Sequence, residues 1–321
     1  MKVVHIGRTP LAGSPAITSQ LMNECMDGVS SRCIQGRYRF RDGRTYPHDM
    51  LYSDPTAMDV LMDADVVVVH NAVNSNHWRK RILQKKRIIL VCHSQPCRIE
   101  KVWLSKATNI AVVAQYQPRL YLGKYKISLV PNLIPFSNPL YTPPSKKRKA
   151  KITIAHSPSS VHRITDRNHK LFWDNKGSDK ILDVIKKLGI ENRYVEYKGL
   201  PLSKILSARR QHHIVIDDMI TGSYHRVTLE ACAQAQMAIC AADKETIHAM
   251  KWVSGVDTVP FHIVNLNELP GFLKKAIDRP EWVIDEGIRA VKWMHENWSS
   301  EKLLNRCWRG LLEGNARLYS Y

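Results

Sequence analysis

Several things are scarce in this 321-residue sequence, and each scarcity excludes something. Apolar runs such as Asp65-Val66-Val67-Val68-Val69-His70 fall far short of the roughly 20 residues that a bilayer-spanning helix needs. Lys2 leads into a strand-like run instead of a signal-peptide pattern, so a cytoplasmic location is expected. The seven cysteines, at 25, 33, 92, 97, 232, 240 and 307, form no Cys-x-x-Cys pair, which favours reduced thiols over a zinc site or disulfide framework. Gly-x-Gly-x-x-Gly is absent, so a dinucleotide fingerprint is not indicated. Acids are missing from one long window: residues 66–165 hold 18 Lys and Arg against the single Glu100.

What is present is charge of one sign, unevenly spread. The chain has 48 Lys+Arg and 29 Asp+Glu, a net +19. Residues 1–150 carry 23 basic and 9 acidic residues, and residues 151–321 carry 25 and 20. A merely solubilising surface mixes the signs, so one face of the N-terminal half is expected to meet a polyanion. Nucleic acid and an anionic membrane surface both fit. The candidate contacts are Arg37, Arg39, Arg41 and Arg44, then Arg79-Lys80-Arg81 and Lys85-Lys86-Arg87, with Tyr38, Phe40, Tyr46 and Trp78 interleaved. Cations interleaved with aromatics suit phosphate contact combined with base stacking.

Along the chain, β-like and helical segments alternate. Residues 2–7, 66–70, 88–93, 110–114 and 127–131 read as buried parallel strands, with a Gly13-containing loop and a helix over 17–26 after the first. Residues 138–150 hold three prolines and the cations Lys146, Lys147, Arg148 and Lys149, and read as a basic linker. A second alternating half follows: strands over 152–156 and 194–198, helices over 178–188 and 202–211. Amphipathic helices are expected over 269–277, 280–298 and 301–318. The stretch 212–243 organises this half. It reads as strand, Gly-containing loop, helix over 226–234, strand, the βαβ pattern of a parallel sheet. Ligands of such sheets lie at strand carboxyl ends beside helix N-termini, so the loop before Arg226 is a candidate phosphate-sugar site.

Two Rossmann-like halves, a central linker and C-terminal helices resemble a retaining, nucleotide-sugar-dependent glycosyltransferase of the GT-B fold, in the GT4-like group. The resemblance implies an α/β protein with two Rossmann-like domains facing across a cleft. These are an N-terminal acceptor domain (1–137), a linker (138–150), a donor domain (151–298) and a C-terminal helix (299–321) that returns to the first domain. Ile152-Thr153-Ile154-Ala155-His156-Ser157-Pro158-Ser159 followed by Lys176-Gly177-Ser178-Asp179 is similar to the family's strand, loop and "KG" helix start. There a loop cation and the lysine before the glycine hold the diphosphate: Arg163, with Arg167 and Lys170 as alternatives, and Lys176. Glu230 matches the second of two carboxylates separated by seven residues, the ribose ligand. The first falls on Gly222, so its contact near the transferred sugar is missing or comes from Asp217, Asp218 or a backbone group. Asp218, Gly222 and Tyr224 are similar to a subgroup pattern before the glutamate helix. His93-Ser94-Gln95-Pro96-Cys97-Arg98 is similar to the family's strand-end His-Gly-Ser-x-x-Arg, and Val130-Pro131-Asn132-Leu133 to its Val-Pro-Asn-Gly turn.

The chemistry implied is glycosyl transfer, in which the leaving diphosphate must be stabilised and a hydroxyl aligned. Lys176, Gly177, Arg163, Tyr224, Arg226 and Glu230 are the expected donor residues, with Gly13 and Ser14 from the first loop. His93, Asp218 and the backbone at Gly222 are expected at the sugar. No permanently bound cofactor and no obligatory metal are expected, with a UDP-sugar as co-substrate; adjacent Asp217 and Asp218 point to opposite faces of a strand. The family's N-terminal half binds the acceptor. Its excess charge, with Arg98 added to the cations above, makes DNA the first expected acceptor, at a hydroxylated or hydroxymethylated pyrimidine, as for phage enzymes of this fold. The base would have to leave the stack. A peripheral-membrane transferase acting on a lipid-linked or cell-surface glycan is the alternative, and a non-catalytic polyanion- or nucleotide-sugar-binding protein the second.

Overall fold

Parallel strands covered on both faces read as continuous β-branched runs, and Val66–His70 is the plainest case, with all five residues buried. The computed structural model of the chain describes residues 1–40, 42–73, 75–145, 148, 151–158, 164, 166–167, 169 and 171–320. It divides into two units, Met1–Pro135 with Ser300–Tyr321, and Phe136–Ser299.

The first unit is a seven-stranded sheet of β1 (Lys2–Gly7), β2 (Ser30–Gln35), β3 (Met50–Leu51), β4 (Val66–His70), β5 (Ile88–Cys92), β6 (Asn109–Val113) and β7 (Ile127–Val130). The order is β3-β2-β1-β4-β5-β6-β7, and every pairing is parallel. Strand order reverses between β1 and β4, which is where such sheets open a crevice at their carboxyl ends. β2 was not legible in the sequence, because Ser-Ser-Arg-Cys-Ile-Gln carries a polar half on a strand that has neighbours on both sides. The helix Ser14–Cys25 begins three residues earlier than its apolar pattern suggests, since its first turn is formed by buried Ser14, Pro15 and Ala16.

The second unit has β8 (Ile154–His156), β9 (Tyr194–Glu196), β10 (Ile214–Ile216), β11 (Met237–Cys240) and β12 (His262–Ile263), in the order β12-β11-β10-β8-β9, again all parallel. Its core joins Ile154, Ile214, Ile216 and Ile239 of the sheet to Ile181, Ile185, Leu269, Leu273 and Val283 of the covering helices. Its reversal point lies between β10 and β8. Of the expected basic linker, Lys146, Lys147, Lys149 and Ala150 lie outside the described residues. Arg148 is not a solvated linker cation: its guanidinium donates to the carbonyls of Arg210, Gln234 and Ala235. It thereby satisfies orphan carbonyls just past the helices Leu202–Arg209 and Arg226–Ala233. Burial lowers its pKa to about 10.

The last expected helix is interrupted. Ser300–Leu303 runs into a π-helical turn, Leu304–Trp308, then Arg309–Glu313, which stops at Gly314 with φ +88°. No helix among the described residues is long and apolar enough to cross a membrane. The Trp308 ring, 1% exposed, lies 5.6 Å from the ring of His5 on β1. Trp308→Ala should therefore cost about 3–5 kcal/mol in denaturant unfolding; a loss under roughly 1 kcal/mol would mean that the C-terminal segment is not part of the first unit's core.

Candidate functional site

In the first unit, three residues in a row after β1 have positive φ: Leu11 (+46°), Ala12 (+56°) and Gly13 (+83°). Left-handed backbone at Leu11 and Ala12 costs on the order of 1–3 kcal/mol each and persists only where the surroundings impose it. The turn delivers the chain to the N-terminus of Ser14–Cys25, whose first N–H groups lack intrahelical partners. Gly13 is buried, and a Cβ there would lie 3.1 Å from Pro47 Cδ. Ser14 Oγ donates to Asn132 Oδ1 at 3.3 Å, joining the first loop to the turn after β7.

His93 directly follows β5, and its backbone is clamped on both sides. Its N–H donates to Asn71 Oδ1 at 2.7 Å, and its carbonyl accepts from Gln117 Nε2 at 3.0 Å. Asn71 itself is left-handed, with φ +59°. The ring is not alone: His93 Nε2 meets His70 Nδ1 at 2.9 Å, and His70 Nε2 meets His5 Nδ1 at 2.9 Å. Burial lowers the pKa of His5 and of His93 to about 3, and holds that of His70 well below the usual imidazole value. All three rings are neutral at physiological pH. His70 is the link between the other two.

The cations of this unit separate into two groups. Arg37 and Arg39 are exposed on a short hairpin after β2, pinned by the Arg39–Thr45 bridge. The guanidinium carbons of Arg37 and Arg44 lie 4.6 and 4.9 Å from the centre of the Phe40 ring. Beside this hairpin, a cavity of about 350 Å³ is lined by Arg8, Gly36, Arg37 and Tyr52. Arg41 lies outside the described residues. Arg98 follows β5 and so also falls at the carboxyl edge. The set that precedes β5 does not. Lys85, Lys86 and Arg87 immediately precede β5, so they lie at the amino edge, about 17 Å away along a five-residue strand. Lys85 Nζ bonds the carbonyls of Met62 and Ala64. Arg79, Lys80 and Arg81 form the last turn of Asn76–Ile82, where cations complement the helix dipole. Arg79 is further tied to the Val73 carbonyl after β4 and, at 3.1 Å, to Glu100 after β5, so its charge is spent within the fold, whereas Lys80 and Arg81 are exposed. Trp78 is buried against Tyr52 and offers no surface for a base. One continuous basic and aromatic face is therefore corrected to a smaller carboxyl-edge set.

In the second unit, Gly177 caps the helix Ser178–Lys187 with φ +72°, and a Cβ there would strike Ile220. Ser178 Oγ lies 2.8 Å from His156 Nε2, and His156 Nδ1 lies 2.8 Å from the Ile216 carbonyl. The carbonyl only accepts, so Nδ1 carries the proton and Nε2 receives the serine hydroxyl. Lys176 Nζ pairs with Asp217 Oδ1 at 2.7 Å, while Asp217 Oδ2 accepts from the His225 N–H and from Thr228 Oγ1. Burial pushes the Asp217 carboxyl up, but Lys176, His225 and Thr228 outweigh it and hold the carboxyl below the usual carboxylate range. Arg163 lies outside the described residues.

Three expectations are corrected here. Asp218 is fully buried and saturated. Its Oδ1 accepts from the N–H groups of Ile220 and Thr221, and its Oδ2 from Thr221 Oγ1 and His225 Nε2. It builds the loop and has no lone pair left for a sugar. Tyr224 is 1% exposed with its ring 5.5 Å from that of Phe261, a core contact. Glu230 points inward, with one oxygen on Arg226 Nε at 3.1 Å and the other on Arg209 Nη2. Its observed role is counter-ion to two arginines. Arg209 gave no signal in the sequence, reading as one of several cations near a helix end. Both Nη groups of Arg226 are buried without a well-aligned hydrogen-bond partner among the described residues. Gly222 has φ +77°, and a Cβ there would lie 2.4 Å from Asp243 Oδ2. A carboxylate, that of Asp243, thus lies against position 222. The only Asp-x-Asp of the sequence, Asp63-Ala64-Asp65, is bound to Lys2 at the amino end of β4. No group of three or more His, Cys, Asp or Glu among the described residues could hold a metal ion.

No protein-family model matches the sequence, and no curated protein matches it. Solved structures do. HepE of Anabaena, in complex with UDP-glucose, superposes with a TM-score of 0.60 at 11% identity, over 98% of this chain and 99% of that one. The fold is that of the GT-B glycosyltransferases. Sucrose-phosphate synthase from Thermosynechococcus elongatus gives 0.56 at 10% identity over 98% and 97%. WaaG, a glycosyltransferase of lipopolysaccharide biosynthesis, gives 0.52 at 12% over 94% and 98%.

The Asp217 environment has a pH consequence. A carboxyl held below its unfolded value contributes stability that is complete above about pH 4 and is lost as pH falls toward the folded value. Asp217→Asn should be less stable at neutral pH and should flatten the acid limb of the stability profile. A parallel acid limb in wild type and variant would show that Asp217 is not the depressed carboxyl.

Proposed function

We propose that the chain is a glycosyltransferase that moves a sugar from a UDP-sugar to a hydroxyl of a polyanionic acceptor. The observation that carries this reading is a GT-B fold shared along almost the whole chain with HepE, a protein solved with UDP-glucose. In the second unit, Lys176 and the N-termini of the helices Ser178–Lys187 and Arg226–Ala233 are assigned to the diphosphate. Arg226, with its two buried Nη groups, is a further donor cation. Transfer with retention by a same-face route asks the protein for leaving-group stabilisation rather than a nucleophile. A donor unit whose Asp217, Asp218 and Glu230 carboxylates are all engaged suits that route. Cationic side chains and helix N-termini supply the electrostatics without an obligatory metal.

The acceptor is assigned to the first unit, and DNA bearing a hydroxylated or hydroxymethylated pyrimidine is the acceptor we favour. Support comes from the hairpin that carries Arg37, Arg39 and Phe40 at the carboxyl edge, next to the Arg8–Tyr52 cavity. The engaged donor-unit carboxylates also support a second reading, a binding protein without turnover. Incubation with UDP-glucose and other UDP-sugars, with and without hydroxymethylated DNA or anionic vesicles, separates them. Sugar transferred to DNA is expected; stimulation by vesicles alone would overturn the DNA acceptor, and DNA binding with no donor turnover would overturn catalysis. Replacing Arg37 and Arg39 by Ala should reduce the salt slope of DNA binding by about 1.5, at roughly 0.7–0.9 per phosphate contact. Lys85→Ala with Lys86→Ala, at the other edge, should leave the slope unchanged.

A further inference from the structure

His5, His70 and His93 form a staircase that strand register dictates. His5 pairs with Val68, and Gly7 with His70, so His70 lies two residues further along the same face as His5. His70 pairs with Val91, so His93 lies two further again. Gly7, opposite His70, leaves room for the step: a Cβ there would lie 3.3 Å from His70 Cβ. The result is a chain of three neutral imidazoles climbing to the carboxyl edge across the β1–β4 reversal point.

The two ends of the chain differ. At the inner end, His5 Nε2 lies 3.4 Å from Met22 Sδ, and Met22 is fully buried. At the outer end the His93 ring is half-buried, and no described residue takes its Nδ1. Each neutral ring has one N–H and one lone pair, so the two inter-ring bonds must run in the same direction. If they ran outward, His5 Nε2 would set a lone pair against the thioether, which has no proton to give. If they run inward, His93 Nε2–H donates to His70, His70 Nε2–H donates to His5, and His5 Nε2–H donates to the sulfur. The inward direction makes three hydrogen bonds and leaves no buried N–H or lone pair opposed.

We infer that His93 meets its ligand as a hydrogen-bond acceptor through an unprotonated Nδ1, and that His5, His70 and Met22 are positioning residues that fix this tautomer. The ligand group is a hydrogen-bond donor. Under the glycosyltransferase reading, on which this part of the inference rests, it is a sugar hydroxyl. A ring whose Nε2–H is committed to His70 cannot turn over to present a donor, so selectivity for a donor group over a carbonyl at this point is built in two strands away.

Two-bond ¹H–¹⁵N spectra of the full chain, ¹⁵N-labelled at histidine and assigned with single substitutions, read the tautomers directly and without a substrate. Near neutral pH all three rings should show the neutral Nε2–H pattern, and Met22→Leu should convert His93 to a mixture of both neutral forms. An Nδ1–H pattern or a protonated ring at His93, or an unchanged pattern in Met22→Leu, would overturn the inference. With a donor sugar that turns over, His70→Leu should lower kcat/KM about tenfold, the effect of losing one net hydrogen bond. His70→Gln should restore it, because its carbonyl accepts from His93 while its amide N–H donates to His5. Equal losses in both variants would reduce the chain to packing. Absence of turnover with every UDP-sugar would sink the glycosyltransferase reading and leave the tautomer result standing.

Discussion

Parallel pairing is the constraint on which the rest of this molecule depends. It ends every strand of a sheet on the same edge, so residues remote in sequence become neighbours there without any further instruction. In the first unit it lines up His5, His70 and His93, drawn from positions spread over nearly ninety residues. In the second it gathers His156, Asp217 and the loop 221–225 around the start of Arg226–Ala233. The same pairing also separates groups that look contiguous in the sequence, because cations that precede a strand, as Lys85, Lys86 and Arg87 precede β5, belong to the opposite edge.

The two units satisfy their polar groups in different ways. The second pairs charge with charge, Lys176 against Asp217 and Arg209 and Arg226 against Glu230, and gives Asp218 a hydrogen bond from His225. Each carboxylate is engaged through both of its oxygens, which ties the loop to the strand and helix on either side of it. The first unit keeps its buried polar chain neutral, because imidazoles deep in an apolar sheet shed their protons rather than bear a desolvated charge. Such a chain stays polar in direction while carrying no net charge.

Much of the architecture was legible in the sequence because buried parallel strands announce themselves. Val66–His70 and Ile88–Cys92 have no other comfortable conformation. β2 was hidden by its serines and arginine, and the C-terminal helix hid its π-helical break, since an apolar stripe survives a one-residue bulge. Site residues were harder. The motif around Glu230 fixed the loop and helix correctly, but whether a carboxylate faces a ligand or an arginine depends on Arg209, twenty-one residues away and unmarked. His70 shows the same limit: a lone strand-end histidine becomes informative only when its neighbours across the sheet are also histidines. Charge counting found the surplus on the first unit and could not say which edge it favours.

Gly222 carries a consequence for how this lineage can change. The Asp243 carboxylate occupies the space where a side chain at 222 would begin, and Asp243 also caps the helix Lys244–Ser254 through the Thr246 N–H at 3.0 Å. Any residue with a Cβ at 222 must displace that cap and adopt left-handed backbone as well. The two positions therefore cannot drift independently. A sequence that places a carboxylate at 222 must give up the aspartate at 243 in the same stroke, so close relatives of this chain should fall into two exclusive classes, glycine with aspartate or acid without it.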